Sequence, residues 1–359
     1  MPKMMKVQVF YEPEEMRLEQ VPIPSPLLED EVLIKVKACG ICGSDIAYYW
    51  GLSPLETPTG KGPLILGHEF SGEVAEMGRI PQEKGLFKAG DRVTVDPVQY
   101  CSACGVCARG MVNLCENKSV IGVSTNGAFA EYVKSKYTGI HKLPSRVSFE
   151  QTAFTEPLSC ATYGINNLNI SLGDFCVIFG PGPIGLMMTQ MAKSRGAGTV
   201  VLVGTRDYRL ELGKKLGADF ILNIKEKNSP YYIDDLKDKI KELTEGRMAD
   251  RVICATGALK PMQDALTISG RRAVVVYFGL PGPNDVLKVP ALDSLLWDKT
   301  IRFSWLAPFT WATALQAIDT KLVDVSSLIT HRFSLDNVLA GLKTIRDRKD
   351  NAIKGLVFP

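Results

Sequence analysis

The sequence predicts an α/β protein in two parts, a β-rich, barrel-like domain and a doubly wound parallel sheet. Three observations point there. The 359 residues are too many for one ordinary core. Up to about residue 160, short apolar runs rich in Val are separated by Gly and Pro turn signals. Beyond it, apolar strand-like runs alternate with helical stretches, the pattern of parallel strands joined by crossover helices.

In the first part, residues 32–36 alternate as a strand and lead to Cys39-Gly40. Further short strands are expected at 70–74 and 91–95. The texture changes near 160. Residues 175–179, Phe-Cys-Val-Ile-Phe, form a continuous apolar run, as expected of a strand buried on both faces. A helix is expected from 184 to about 195, then strand 200–203, helix 208–216 and strand 220–222. A charged helix at 233–244, strand 251–255, helix 260–268 and strand 273–278 complete the series. A helix at 312–318 and an apolar tail at 352–358 return to the first domain. The division is therefore 1–160 plus 300–359 for the first domain and 161–299 for the second.

Net charge is +3, with 45% hydrophobic and 23% charged residues. No long basic run suggests nucleic acid or an anionic membrane as partner. No stretch of eighteen uncharged apolar residues suggests a membrane span, and the first twenty residues lack the pattern of a signal peptide. The expected location is cytoplasmic.

Four of the nine cysteines crowd into fifteen residues. Cys101, Cys104, Cys107 and Cys115 have the spacing C-x2-C-x2-C-x7-C, within a lobe at about 95–120. Four thiolates on one loop can surround a tetrahedral zinc and leave no open position, so this site is expected to be structural. The lobe is neither strongly basic nor interleaved with aromatics, which argues against a nucleic-acid-binding ribbon.

A second set is scattered. Cys42 lies in Gly40-Ile41-Cys42-Gly43-Ser44-Asp45, His68 and Glu69 follow Gly67, and Glu156 precedes Pro157. One thiolate, one imidazole and one or two carboxylates form a borderline-soft set that suits zinc with an open position. Each residue alone is weak, since a lone Cys or His is usually core filling. Gly180-Pro181-Gly182-Pro183-Ile184-Gly185 fits G-x-G-x-x-G between an apolar strand and a helix. In that setting its glycines permit a tight turn and close approach of backbone N–H groups to a pyrophosphate.

These motifs, in this order and spacing, resemble the zinc-containing medium-chain alcohol/polyol dehydrogenases over essentially the whole chain. The likeness is to the branch with sorbitol, butanediol and threonine dehydrogenases. The resemblance implies a GroES-like catalytic domain, a Rossmann domain, two zinc ions per chain and a homo-tetramer. It makes Cys42, His68 and Glu69 ligands of a catalytic zinc, with Glu156 as a fourth, direct or through water. It implies that zinc polarises the oxygen of a secondary hydroxyl on a polyol, sugar or small alcohol, and that the alkoxide passes a hydride to nicotinamide. Ser44 resembles the first hydroxyl of the family's proton relay. Many members carry His three residues later, where this chain has Ala47, so water, Tyr48 or a ribose hydroxyl is left to carry the proton on.

The next strand bears on the cofactor. An NAD site usually places an acid at its end, and here stands Gly204. Thr205 and Arg206 follow, with Arg209 one turn on. This resembles the Gly-Ser-Arg of NADP-using relatives and favours NADP; the competing reading puts Asp207 on the ribose of NAD. Thr256, Phe278, Gly279 and Leu280 sit where later strands end, and are expected near the nicotinamide half. In sorbitol dehydrogenases an Arg-Tyr pair grips substrate hydroxyls shortly before Thr-Trp. Here Thr310-Trp311 is preceded by Leu306-Ala307, which makes sorbitol itself a poor fit. Tyr48, Tyr49, Trp50 and Trp305 are candidates for lining the cleft.

Overall fold

The computed structural model describes residues 2–53 and 62–359. The chain divides into two compact units. One comprises Met1–Pro157, Trp311–Asp319 and Val325–Pro359, the other Leu158–Thr310 and Thr320–Asp324.

In the first unit, β1 (Met4–Glu12) lies between β2 (Glu15–Pro22) and the short β4 (Leu64–Ile65). The larger sheet is built around β3 (Glu31–Gly40). Its order is β10 (Ile140–Lys142), β6 (Arg92–Val95), β5 (Glu69–Met77), β3, β18 (Lys354–Phe358) and β17 (Ile329–Ser334). A further strand, β9 (Tyr132–Lys136), also pairs with β3. With β5, β9 and β18 as neighbours, β3 is buried along most of both faces, Lys35 being its exposed residue. Val7, Val32, Ile34, Phe70, Val93 and Phe129 are fully buried in this core. β7 (Val98–Gln99) and β8 (Ser119–Val120) pair as a small ribbon on either side of the cysteine-rich loop.

The register of β3 sets up the site. Gly40 pairs with Glu69 of β5 and with Leu356 of β18. The end of one strand and the beginnings of two others therefore meet at one edge.

The second unit is a six-stranded sheet with all neighbours parallel. Its order is β13 (Phe220–Asn223), β12 (Thr199–Gly204), β11 (Phe175–Phe179), β14 (Ala249–Cys254), β15 (Ser269–Tyr277) and β16 (Thr300–Phe303). Winding outward in both directions from the first strand is the doubly wound Rossmann arrangement. Every residue of β11 is buried. The helix Pro183–Ser194 packs Leu186, Met187, Met188 and Met191 into the core, and Pro183, which has no N–H, suits the first position, where an N–H would have no helical partner.

Three of the departures from expectation lie in the second unit. The charged helix is Leu236–Leu243, shorter than 233–244, because the Asp235 carboxylate caps it by accepting from the Asp238 N–H at 2.8 Å. β15 begins at Ser269, ahead of its apolar run, although Arg271 and Arg272 there are exposed. β16 was not expected: its Thr-Ile-Arg-Phe alternation is only four residues long, three of them are exposed, and pairing with β15 makes it a strand.

Candidate active site

Two groups of metal-ligating side chains converge among the described residues. In each, the ligand atoms lie within 4.8 Å of one another. The first is Cys101, Cys104, Cys107 and Cys115. The Cys115 Sγ lies 3.5 Å from that of Cys101 and 3.9 Å from that of Cys104. Backbone N–H groups of Ala103 and Cys104 donate to the Cys101 sulfur at 3.5 and 3.3 Å, and pull this thiol down to about 6. Cys104 is lowered as well, chiefly by backbone N–H donors. Cys107 goes the other way, pushed up to about 12 by burial and by the Cys104 and Cys115 sulfurs, so the loop's N–H groups favour the anion at two of the four sulfurs, as suits a cation site.

The second is Cys42, His68 and Glu69. Cys42 precedes the short helix Gly43–Tyr49, which follows β3, while His68 and Glu69 open β5. Gly67, just before them, has φ +92°, and a Cβ there would meet Phe129 at 2.8 Å and the Cys39 sulfur at 3.0 Å. Behind the three lies Asp45, fully buried. Its carboxylate accepts from the Cys42 N–H at 2.9 Å and the Gly67 N–H at 3.3 Å, and stands 3.5 Å from His68 Nδ1. Burial would lower the His68 imidazole, but Asp45 and Cys42 outweigh it and raise it well above its ordinary value. Glu69 is buried and ion-paired with Lys354 of β18, itself buried. Burial acts to lower Lys354, and the Glu69 charge more than reverses it.

Glu156 is not part of this group. It sits half-buried in the first turn of the helix Thr155–Leu168. Its charge adds to the burial that pushes the Asp96 carboxyl up to about 7. Ser44 is half-buried in the turn after Cys42. Burial raises the Tyr48 phenol, and the neighbouring Ser53 and the His68 charge pull it back, which places Tyr48 near the site. Tyr49 and Trp50 pack elsewhere: the Tyr49 hydroxyl donates to the Glu14 carbonyl at 3.0 Å, and Arg346 covers the Trp50 ring at 4.2 Å.

In the second unit, Gly180 ends β11 with φ +94°. A Cβ on Gly182 would meet nothing within 4 Å, while one on Gly185 would collide with the Gly180 carbonyl. With Pro183 and Ile184 these residues form an open cradle at a helix N-terminus, which fits a pyrophosphate. Thr256, Phe278, Gly279 and Leu280 follow β14 and β15. A Cβ on Gly279 would strike the Thr256 backbone and one on Gly257 the Leu280 carbonyl, so these two loops pack directly together.

Gly204, Thr205 and Arg206 follow in order at the end of β12. A Cβ on Gly204 would stand 2.5 Å from the Pro181 ring, so the glycine is required by the proline of the neighbouring turn. Arg206 is ion-paired with Glu226, and Arg209 Nε donates to the Tyr208 hydroxyl at 2.9 Å. The Asp207 carboxylate accepts from Asn223 Nδ2 and from the Ser229 hydroxyl, both at 2.7 Å. It thereby ties the start of the helix Asp207–Lys215 to the loop after β13.

Thr310 and Trp311 have structural partners. The Thr310 hydroxyl donates to the Ser159 carbonyl at 2.8 Å, and the buried Trp311 ring stacks on His141 at 5.4 Å. Sequence reasoning passed over Asp45, Lys354, Pro181 and Glu226. Asp45 had a signal, an acid three residues after the helix cap. A lone cation in the apolar tail was a weak signal for Lys354.

A sulfur, an imidazole and a carboxylate converging in one unit, and a glycine cradle on a doubly wound sheet in the other, define the class of zinc-type, dinucleotide-dependent dehydrogenases. Comparison with known proteins agrees. The alcohol dehydrogenase GroES-like domain matches residues 28–145, and the zinc-binding dehydrogenase domain matches residues 183–320. Sorbitol dehydrogenase of Bacillus subtilis (strain 168) is 32% identical over 360 residues, covering 100% of this chain and 98% of its own. Among solved structures, one from Sinorhizobium meliloti 1021, described as a zinc-binding dehydrogenase and bound to NADP, has a TM-score of 0.88 at 29% identity. The match covers 99% of this chain and 100% of that one. A short chain alcohol dehydrogenase from E. coli CFT073, complexed with NADH, has a TM-score of 0.88 at 27% identity and covers 99% of both chains. The chain belongs to the zinc-containing medium-chain alcohol/polyol dehydrogenase family and is an alcohol or polyol dehydrogenase. No helix among the described residues is long and apolar enough to cross a membrane.

Proposed function

We propose that the chain is an NADP(H)-preferring dehydrogenase that interconverts a secondary hydroxyl and a carbonyl on a polyol, sugar or small alcohol. The observation that carries this reading is the convergence of Cys42, His68 and Glu69, a donor set that fits zinc and leaves a tetrahedral position open. Zinc held there would supply Lewis-acid polarisation of the substrate oxygen. The Asp45 carboxylate faces His68 Nδ1 at 3.5 Å without a hydrogen bond to it, so its charge acts on that side of the ring and Nε2 is the nitrogen left for the metal. Lys354 holds one oxygen of Glu69, so the other is available to the ion. Glu156, outside this group of three, would be the fourth ligand only in the resting site, direct or through a water, and would give up that position to the substrate oxygen. Ser44 accepts the proton released from the substrate, and Tyr48 is the next hydroxyl on the same short helix. Cys101, Cys104, Cys107 and Cys115 hold a second, structural zinc, which makes two per chain.

The Gly180–Gly185 turn binds the pyrophosphate, and Gly204, Thr205, Arg206 and Arg209 favour NADP. No carboxylate at 204 repels a 2′-phosphate, and Asp207 is already engaged by Asn223 and Ser229. Support for a hydroxylated substrate comes from the sorbitol dehydrogenase relative. The zinc-loaded protein should be assayed against polyols, aldoses and secondary alcohols with each cofactor. NADP is expected to exceed NAD in kcat/KM by about tenfold to a hundredfold, the effect of one charge-assisted hydrogen bond or more. NAD serving equally well or better would overturn the NADP assignment and favour an NAD-dependent butanediol or threonine type of enzyme. By likeness to microbial polyol dehydrogenases we further propose a homo-tetramer; a monomer in sedimentation at micromolar concentration would contradict it.

A further inference from the structure

The arginine best placed to meet a 2′-phosphate is already occupied. Arg206 donates through Nη1 to Glu226 Oε1, and both side chains are 38% exposed. Glu226 is not a wandering surface acid. The fully buried Asn223 accepts through Oδ1 from the N–H groups of Lys225 and Glu226, at 3.0 and 2.9 Å. Asn223 also pairs in register with Gly204, and the Ile224 N–H donates to the Gly204 carbonyl at 3.0 Å. The loop after β13 is thus pinned to the end of β12. It delivers a carboxylate beside the strand end where Gly204 leaves none.

We infer that Glu226 sets the cofactor preference of this chain by competing with the 2′-phosphate for Arg206. The inference rests on the reading above that the adenosine ribose lies at the end of β12. A 2′-phosphate must draw Arg206 away from Glu226 and approach a like charge, whereas a ribose hydroxyl need do neither. Glu226 therefore weakens NADP binding and leaves NAD binding nearly unchanged. It also holds Arg206 in place when no phosphate is present.

The test is calorimetric binding of adenosine 2′,5′-bisphosphate and of ADP, which requires neither zinc chemistry nor substrate. Wild type, Glu226→Gln, Arg206→Gln and the double variant are compared, with Glu226→Ala as a second probe and thermal melting to verify folding. The half-exposed pair and the like-charge repulsion together predict that Glu226→Gln tightens the bisphosphate about three- to tenfold. ADP should change less than about twofold, and the gain should vanish when Arg206 is also replaced. Unchanged or weaker bisphosphate binding in both Glu226 variants would overturn the inference, as would a gain that persists without Arg206. If wild type binds ADP as tightly as the bisphosphate but Glu226→Gln shows the gain, the NADP preference fails and the inference stands. If Arg206→Gln leaves bisphosphate binding unaltered, the ribose does not lie at this strand end, and both fail.

Discussion

The two ligand clusters of the first unit reach similar compactness by opposite routes. Cys101, Cys104, Cys107 and Cys115 come together because they share one loop of fifteen residues. Cys42 and His68-Glu69 come together because β3 and β5 pair in a register that sets Gly40 against Glu69. Their support differs as well. The cysteine loop is aided by its own N–H groups. The mixed site has a buried acid behind His68 and a buried Lys354, 285 residues away in sequence, paired with Glu69. A closed site of four like ligands can be made locally. An open site of unlike ligands needs the whole sheet to hold its outer partners, because a buried charge without a partner is costly.

Replacing the outer partners is the sharpest way to separate the two clusters. Lys354→Met leaves the Glu69 carboxylate buried without its counter-ion, and should destabilise the zinc-free protein by about 3–5 kcal/mol. Zinc beside Glu69 supplies a positive charge in place of the lost ammonium, so the zinc-loaded variant should lose clearly less. Thermal melts of the two forms measure the difference, and an equal loss would remove Glu69 from the metal. Asp45→Asn should have a smaller effect. It withdraws charge from behind His68 and should weaken zinc at the open site about ten- to hundredfold, leaving retention by the four cysteines unaltered. Competition with a chelator reads the two affinities separately, and equal weakening of both would show a general loss of structure.

The same contrast explains what was legible in the sequence. The cysteine spacing, the glycine turn after an apolar strand and the alternation of strands and helices beyond residue 160 are local patterns, and local patterns survive in one dimension. Cys42, His68 and Glu69 were legible only through the motifs around them. Lys354 was not, because no spacing links the chain's last strand to residue 69. At β12 the absent acid was legible, but its steric cause was not: the Pro181 ring stands where a side chain on Gly204 would go. The sequence offered Asp207 as the competing ligand for the ribose of NAD, and in the fold Asn223 and Ser229 donate to its carboxylate. The edge strand β16 was missed because Thr-Ile-Arg-Phe alternates over only four residues, too short a run to stand out, and its pairing with β15 makes it a strand.

The most direct test of two clusters with different tasks is a zinc count paired with turnover. Wild type should hold two zinc ions per chain. His68→Ala should hold one, remain folded, and lose about a thousandfold or more in kcat, as expected when several kcal/mol of Lewis-acid stabilisation is withdrawn. Cys104→Ser should also hold one, melt at a lower temperature, and keep kcat within about threefold while folded. One zinc in the wild type, or a His68→Ala variant that turns over normally, would contradict the account.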